Sequence, residues 1–164
     1  MKLLFNPQRP TLGESRLQAL RRLFSLERRL QHDSQFSDYA KVINEYLTPG
    51  HAERVPHDDL KKPPSDSFCL AHHAVYKDSA RTPLRIVFDG SMKSTSGVSL
   101  NAQLLVGPTL HPPLNNVLVR FRKHPYVLAT DVSKMYRAVT LAPEDRDYHR
   151  FLWIDKPGNP ITDY

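Results

Sequence analysis

The hydrophobic period of this 164-residue chain changes once, and that change limits the fold more than any other sequence feature. In the first part of the chain apolar side chains recur at the three-to-four-residue spacing of an amphipathic helix. From residue 68 onward they alternate with polar side chains, as in a half-buried strand. We therefore predict an α+β protein in which helices precede the sheet.

Two helices are predicted before the change of period, at residues 15–32 and 36–47. Asp33 and Ser34 lie between them and are suitable N-caps for the second helix. Basic charge surrounds the first helix through Arg21, Arg22, Arg28 and Arg29. We interpret the pair as a helical hairpin with a solvated basic face, and the alternative is a dedicated RNA-binding surface.

A β-hairpin is predicted next, after a proline-rich polar loop. Residues 68–76 and 84–88 form its strands, and Lys77 lies in the turn between them. In the second strand Arg85 alternates with apolar neighbours and so projects from the polar face. A guanidinium held there can form two hydrogen bonds with a phosphate. The alternative is that the hairpin charges are only solvated.

An apolar run that ends in one carboxylate follows at residues 127–131. It predicts a strand buried on both faces, with residues 136–141 as the partner strand. Asp131 then lies at the strand end, where a carboxylate suits Mg²⁺, and the nearby Tyr136 can wall a substrate pocket. The alternative is that Asp131 only starts the turn at residues 132–135.

Shorter elements surround this run. A short amphipathic helix precedes it, with its apolar side, including Leu118, predicted to face inward. Pro143 begins a helical turn at residues 143–147, and residues 149–154 form another strand. Trp153 in that strand is predicted to be a core residue.

Composition limits the partners and the cellular location. Lys and Arg outnumber Asp and Glu by 23 to 17, and the net charge of +6 suits a polyanionic partner. Cys69 is the only cysteine, which argues against a disulfide-linked partner and a cysteine metal cluster. We see no signal peptide and no apolar run of membrane-spanning length. We therefore expect a protein of the cytoplasm or nucleus that has no membrane partner.

Five segments, in this order, resemble the reverse transcriptases of BEL/Pao-type LTR retrotransposons. They are residues 84–101 (LRIVFDGSMKSTSGVSLN), 105–109 (LVGPT), 118–122 (LVRFR), 130–137 (TDVSKMYR) and 143–148 (PEDRDY). The resemblance implies that residues 1–55 are a helical N-terminal extension, 56–125 the fingers, and 126–164 the start of the palm of a right-hand polymerase. It also implies templated nucleotidyl transfer, with Mg²⁺ as cofactor and an RNA or DNA template–primer and a dNTP as partners.

The resemblance assigns roles to the residues around the single carboxylate. Asp131 matches the first metal-binding aspartate, and the backbone carbonyl of Val132 is implied as a further metal ligand. Tyr136 matches the residue under the deoxyribose whose ring excludes a 2′-hydroxyl. The backbone N–H groups of Lys134 and Met135 are implied to lie near the incoming triphosphate.

The predicted hairpin also receives roles, but one family motif has no counterpart. Arg85 matches the fingers arginine that holds the triphosphate, and Lys77 or Arg81 is its basic companion. The Tyr-x-Asp-Asp motif, which supplies two more carboxylates, is not found after Asp131. One carboxylate cannot organise two Mg²⁺ ions about 4 Å apart.

These observations lead to three hypotheses. The first is a fragment of a reverse transcriptase that is inactive alone and binds nucleic acid weakly and in a salt-sensitive way. The second is a non-enzymatic, basic nucleic-acid-binding relic of a transposon. The third is a truncated gene product that does not fold, because residues 127–131 lack the strands that should cover them.

Overall fold

A four-stranded mixed sheet organises the structure, which is a computed structural model that describes residues 1–32, 35–76 and 84–164. The strands are β1 (Cys69–Tyr76), β2 (Leu84–Asp89), β3 (Arg150–Trp153) and β4 (Thr162–Asp163), in the order β2-β1-β3-β4. β1 pairs antiparallel with β2 and parallel with β3, and β4 is antiparallel to β3. With the helices beside it, this sheet confirms the α+β class. Asp33, Ser34, Lys77 and Arg81 lie outside the described residues.

Helix α2 (Phe36–Leu47) covers one face of the sheet. Its Tyr39 ring stacks 5.2 Å from the Trp153 ring and 5.7 Å from the His72 ring. Its Tyr46 ring meets Phe88 edge-on at 5.9 Å. His72 lies opposite Phe88 in the β1–β2 register, so both side chains point to the face that α2 covers.

Helix α1 (Arg16–His32) packs on the other face. Its Arg22 pairs with Asp89 at 2.5 Å and its Arg16 with Asp163 at 2.8 Å. Asp89 follows Phe88 by one residue and therefore points to the opposite side of the sheet. The two predicted helices are confirmed, but they flank the sheet and do not form a hairpin that packs on itself. The reason is that the sheet has two apolar faces, and each requires a cover.

The core draws on all three segments into which the sequence resemblance divides the chain. Leu26 and Tyr39 come from the first segment, Phe68 from the second and Leu152 from the third, and each is almost fully buried. Cys69 and Trp153 are buried as predicted. These segments share one hydrophobic cluster, so the helices before residue 55 are part of the same packed unit as the sheet.

Residues 127–141, which lie between β2 and β3 in the chain, differ from the prediction. Residues 127–131 form no strand, and Leu128 is 97% exposed. Residues 136–141 form no strand either, because a 3₁₀ helix occupies Met135–Ala138. No described strand pairs with this run, and an extended segment buried on both faces requires hydrogen-bonded neighbours. Its backbone therefore stays at the surface.

Two short helices, α3 (Leu100–Gln103) and α4 (Leu114–Phe121), precede that stretch. The prediction that the apolar side of the second one faces inward is wrong, because Leu118 and the other apolar residues of α4 are exposed. A further 3₁₀ helix at Pro143–His149 begins at Pro143 as predicted and leads into β3. None of the helices in the described ranges has the length and apolar character needed to cross a membrane.

Candidate functional site

Residues 131–136, which are predicted to bind metal and nucleotide, lie at and just before a short helical turn. Asp131 and Val132 are in irregular, exposed backbone just before it. Asp131 thus does not stand at the end of a buried strand. Within the described residues its carboxylate accepts no hydrogen bond, so the structure does not show it capping the turn either. It is a solvated carboxylate.

Lys134 sets the backbone direction of this turn. It is the only non-glycine residue of the described chain with positive φ, at 54°. The left-handed region costs a non-glycine residue of order 1–2 kcal/mol. The conformation is held in place by the Lys134 carbonyl, which accepts the Arg137 backbone N–H at 2.9 Å, and by the Lys134 ammonium, which donates to Glu45 at 2.9 Å.

Helix α2 anchors the turn through two of its residues, Glu45 and Tyr46. The Arg137 guanidinium lies over the Tyr46 ring at 4.0 Å, and its Nη1 is 3.5 Å from Glu45 Oε2. That second contact is an ion pair without hydrogen-bond geometry. The hydrogen bond from Lys134 lowers the pKa of the Glu45 carboxyl, which keeps it ionised in the pair. The sequence does not indicate the roles of Glu45 and Tyr46. Glu45 and Lys134 are 89 positions apart, and a contact over that separation leaves no local sequence pattern.

This anchoring presents one aromatic ring and two backbone donors to solvent. Tyr136 is 85% exposed, and Met135 beside it is half-exposed. The backbone N–H groups of Lys134 and Met135 donate to no other group in the part of the chain that is described. They are therefore available to acceptor oxygens of a ligand, with the Tyr136 ring beside them.

Arg85 is on the other side of the sheet. It is exposed, as the alternation along β2 predicts, and it shares its face with Val87 and Asp89. The turn that carries Tyr136 is held by α2, which covers the opposite face. The structure therefore brings together the residues from Asp131 to Tyr136 but does not place Arg85 beside them. Lys77 lies outside the described residues.

The fit of the described residues to a magnesium centre can be judged from their donor groups. Two-metal phosphoryl transfer requires several carboxylates around ions about 4 Å apart. The described ranges contain no group of three or more His, Cys, Asp or Glu side chains close enough to hold a metal ion. Asp131 stands alone at the surface, so these residues do not supply a two-magnesium centre. Mg²⁺ remains an expectation that rests on the sequence resemblance alone.

The assignment to reverse transcriptases rests on sequence motifs and stays a prediction. One of the motifs contains both Asp131 and Tyr136, and the Tyr136 ring on the turn that follows Asp131 is exposed. Neither a protein-family model, nor a curated protein, nor a solved structure matches this chain.

Proposed function

We propose that these residues are the fingers and the first part of the palm of a BEL/Pao-like reverse transcriptase, preceded by a helical extension. The main support is the order of five matching segments between residues 84 and 148. Two structural features agree with it. Strand β2 presents Arg85 to solvent, and an ordered turn presents the Tyr136 ring next to free backbone donors.

The family assignment is tested on the transcript that encodes the chain. A Tyr-x-Asp-Asp sequence downstream, in the same reading frame or in a frame displaced by a recent mutation, is expected. It would supply the two carboxylates that Asp131 lacks. If the surrounding element encodes no such motif downstream in any frame, the assignment is contradicted.

A polypeptide of these 164 residues has no polymerase activity alone, because a single exposed carboxylate cannot hold two metal ions. The test is primer extension by the purified chain on a DNA or RNA template with Mg²⁺ and dNTPs. Asp131→Asn is the matched control, since it removes the one predicted ligand without changing the shape of the side chain. Extension by the original chain that Asp131→Asn abolishes would contradict the prediction.

A second candidate function is non-enzymatic binding to nucleic acid. The observation in its favour is that Arg21, Arg22, Arg28 and Arg29 are all exposed on α1. Only Arg22 forms an ion pair with another described residue. Binding of an oligonucleotide that weakens with salt supports this function, and equal binding at low and high salt contradicts it.

A further inference from the structure

A groove runs between α1 and the uncovered part of the β1–β2 sheet face. It contains a cavity of about 190 Å³ lined by Arg22, Ser25, Arg29, Ala71, His72 and His73. Arg22 and Arg29 are seven residues apart, which is two turns of α1, so their side chains stand on the same side of the helix. None of the residues that line the cavity is acidic.

Arg85 lies on the same face of the sheet as this cavity. In the antiparallel register His73 lies opposite Val87, and Val75 lies opposite Arg85. His73, Val87 and Arg85 are therefore on the same face, with Arg85 two residues, or about 7 Å, beyond Val87. All three are exposed. We call Arg22, Ser25, Arg29, His73 and Arg85 the arginine groove.

Two of the three arginines in the arginine groove have no ion-pair partner among the described residues. Arg29 and Arg85 pair with no carboxylate among the residues that the structure describes. Arg22 does pair, with Asp89 at 2.5 Å, and this pair fixes one wall of the groove. Two guanidinium groups, each able to form two parallel hydrogen bonds with an oxyanion, therefore face an open channel.

We propose that the arginine groove binds the backbone phosphates of single-stranded nucleic acid. The inference rests on the proposed function, because it names the surface through which the chain holds its polyanionic partner. The cavity is wide enough for a phosphate group and too small for a duplex, and Val87 gives an apolar floor for a sugar or base. An anionic membrane does not fit, because the apolar stripe of α1 (Leu23, Leu26 and Leu30) is buried in the core and cannot insert.

The test measures binding of a fluorescein-labelled 12-nucleotide oligo(dT) by anisotropy over a range of salt concentrations. The groove variant carries Arg29→Gln and Arg85→Gln, and the control variant carries Arg120→Gln and Arg122→Gln. Both variants lose the same charge at exposed positions, but the control changes are in and just after α4. Trp153 fluorescence verifies that each variant is folded.

The groove variant is expected to bind about tenfold more weakly at 0.15 M salt, because each single-strand phosphate contact contributes about 0.7 to the slope of log K against log salt. Because two contacts are lost, the magnitude of the slope of log K against log salt should be smaller by about 1.4 in the groove variant. The control variant should change affinity less than twofold. Equal losses of oligo(dT) affinity in both variants would contradict the arginine groove as the binding surface but would not contradict the proposed function.

Two further outcomes test whether the partner is nucleic acid or an anionic membrane. If the original chain does not bind oligo(dT) at low salt, the groove and the nucleic-acid partner fail together. Phosphatidylserine vesicles are the second probe, and they should not bind the chain at the same protein concentration. If they bind as tightly as oligo(dT), and the groove variant loses that binding, the assignment to nucleic acid is overturned.

Discussion

His72 is a buried base that is neutral in the folded protein, and this makes stability depend on pH. The residue is 6% exposed, and its ring lies between two partners. Its Nδ1 is 2.5 Å from the Tyr39 hydroxyl, and its Nε2 is 2.8 Å from the Leu152 carbonyl oxygen. The neutral ring satisfies both if Nε2–H donates to Leu152 and Nδ1 accepts from Tyr39. Burial lowers the pKa of His72 to about 4, against a smaller opposing effect of the Leu152 carbonyl.

The magnitude follows from proton linkage. In the unfolded chain the pKa of a histidine is about 6.5, so between pH 6.5 and pH 4 the unfolded state binds the proton and the folded state does not. The free energy of unfolding is therefore highest above pH 6.5 and falls as the pH decreases. For His72 alone the loss is about 2 kcal/mol at pH 5 and about 3 kcal/mol at pH 4.

The assay is urea unfolding at pH 7.5 and pH 5, followed by the fluorescence of Trp153. Trp153 is the only tryptophan of the chain, and its ring lies 6.2 Å from that of His72. His72→Gln is the test variant, and His111→Gln, at an exposed position, is the control. The pKa of His149 is also lowered by burial, but every variant keeps His149, so the comparison removes its contribution.

The original chain and the His111→Gln control should each lose about 2 kcal/mol more than His72→Gln between pH 7.5 and pH 5. The same loss in all three proteins would show that the pH dependence does not come from His72. NMR gives an independent readout in the original chain, because the His72 imidazole signal should not titrate above pH 5. A His72 titration midpoint near 6.5 would contradict the lowered pKa.

Two further predictions concern Cys69 and Gly97. Burial raises the pKa of the Cys69 thiol to about 12, so a thiol reagent at pH 8 should label the folded chain only as fast as it unfolds, and immediate labelling would contradict this. Gly97 has φ +79°, so Gly97→Ala should lower the free energy of unfolding in urea by about 1 kcal/mol. Gly107→Ala, at an open position without positive φ, should not lower it, and equal effects would contradict the backbone argument.

Local patterns in the sequence were sufficient for the elements whose apolar side meets the core. The helical spacing of Leu20, Leu23 and Leu30 predicts α1, and the alternation around Arg85 predicts β2 and the exposure of that arginine. Pairing between distant segments leaves no such signal. The His72–Leu152 hydrogen bond joins residues 80 positions apart. The two-residue strand Thr162–Asp163 exists only because it pairs with β3.

Apolar composition alone does not decide burial, and this explains two of the wrong predictions. Residues 127–131 and helix α4 are as apolar as core elements, but burial requires a surface that covers them. The buried, apolar parts of both sheet faces are already covered by α1 and α2, whose stripes include Leu26 and Ile43. No described element is left to cover the later segments, and Leu118 therefore stays exposed.

If the arginine groove and the turn with Tyr136 bind the same nucleic-acid strand, their positions in the fold determine its path. The arginine groove lies on the face that α1 covers, whereas α2 holds the turn with Tyr136 beside the opposite face. β2 is an edge strand in the order β2-β1-β3-β4, and it carries Arg85 on one face and Phe88, which contacts Tyr46, on the other. A nucleic-acid strand that occupies both elements must therefore pass around the edge of β2, where none of the described strands lies. Loss of the groove should weaken the binding of such a strand without changing the turn, because Glu45 and Tyr46 anchor the turn without help from any groove residue.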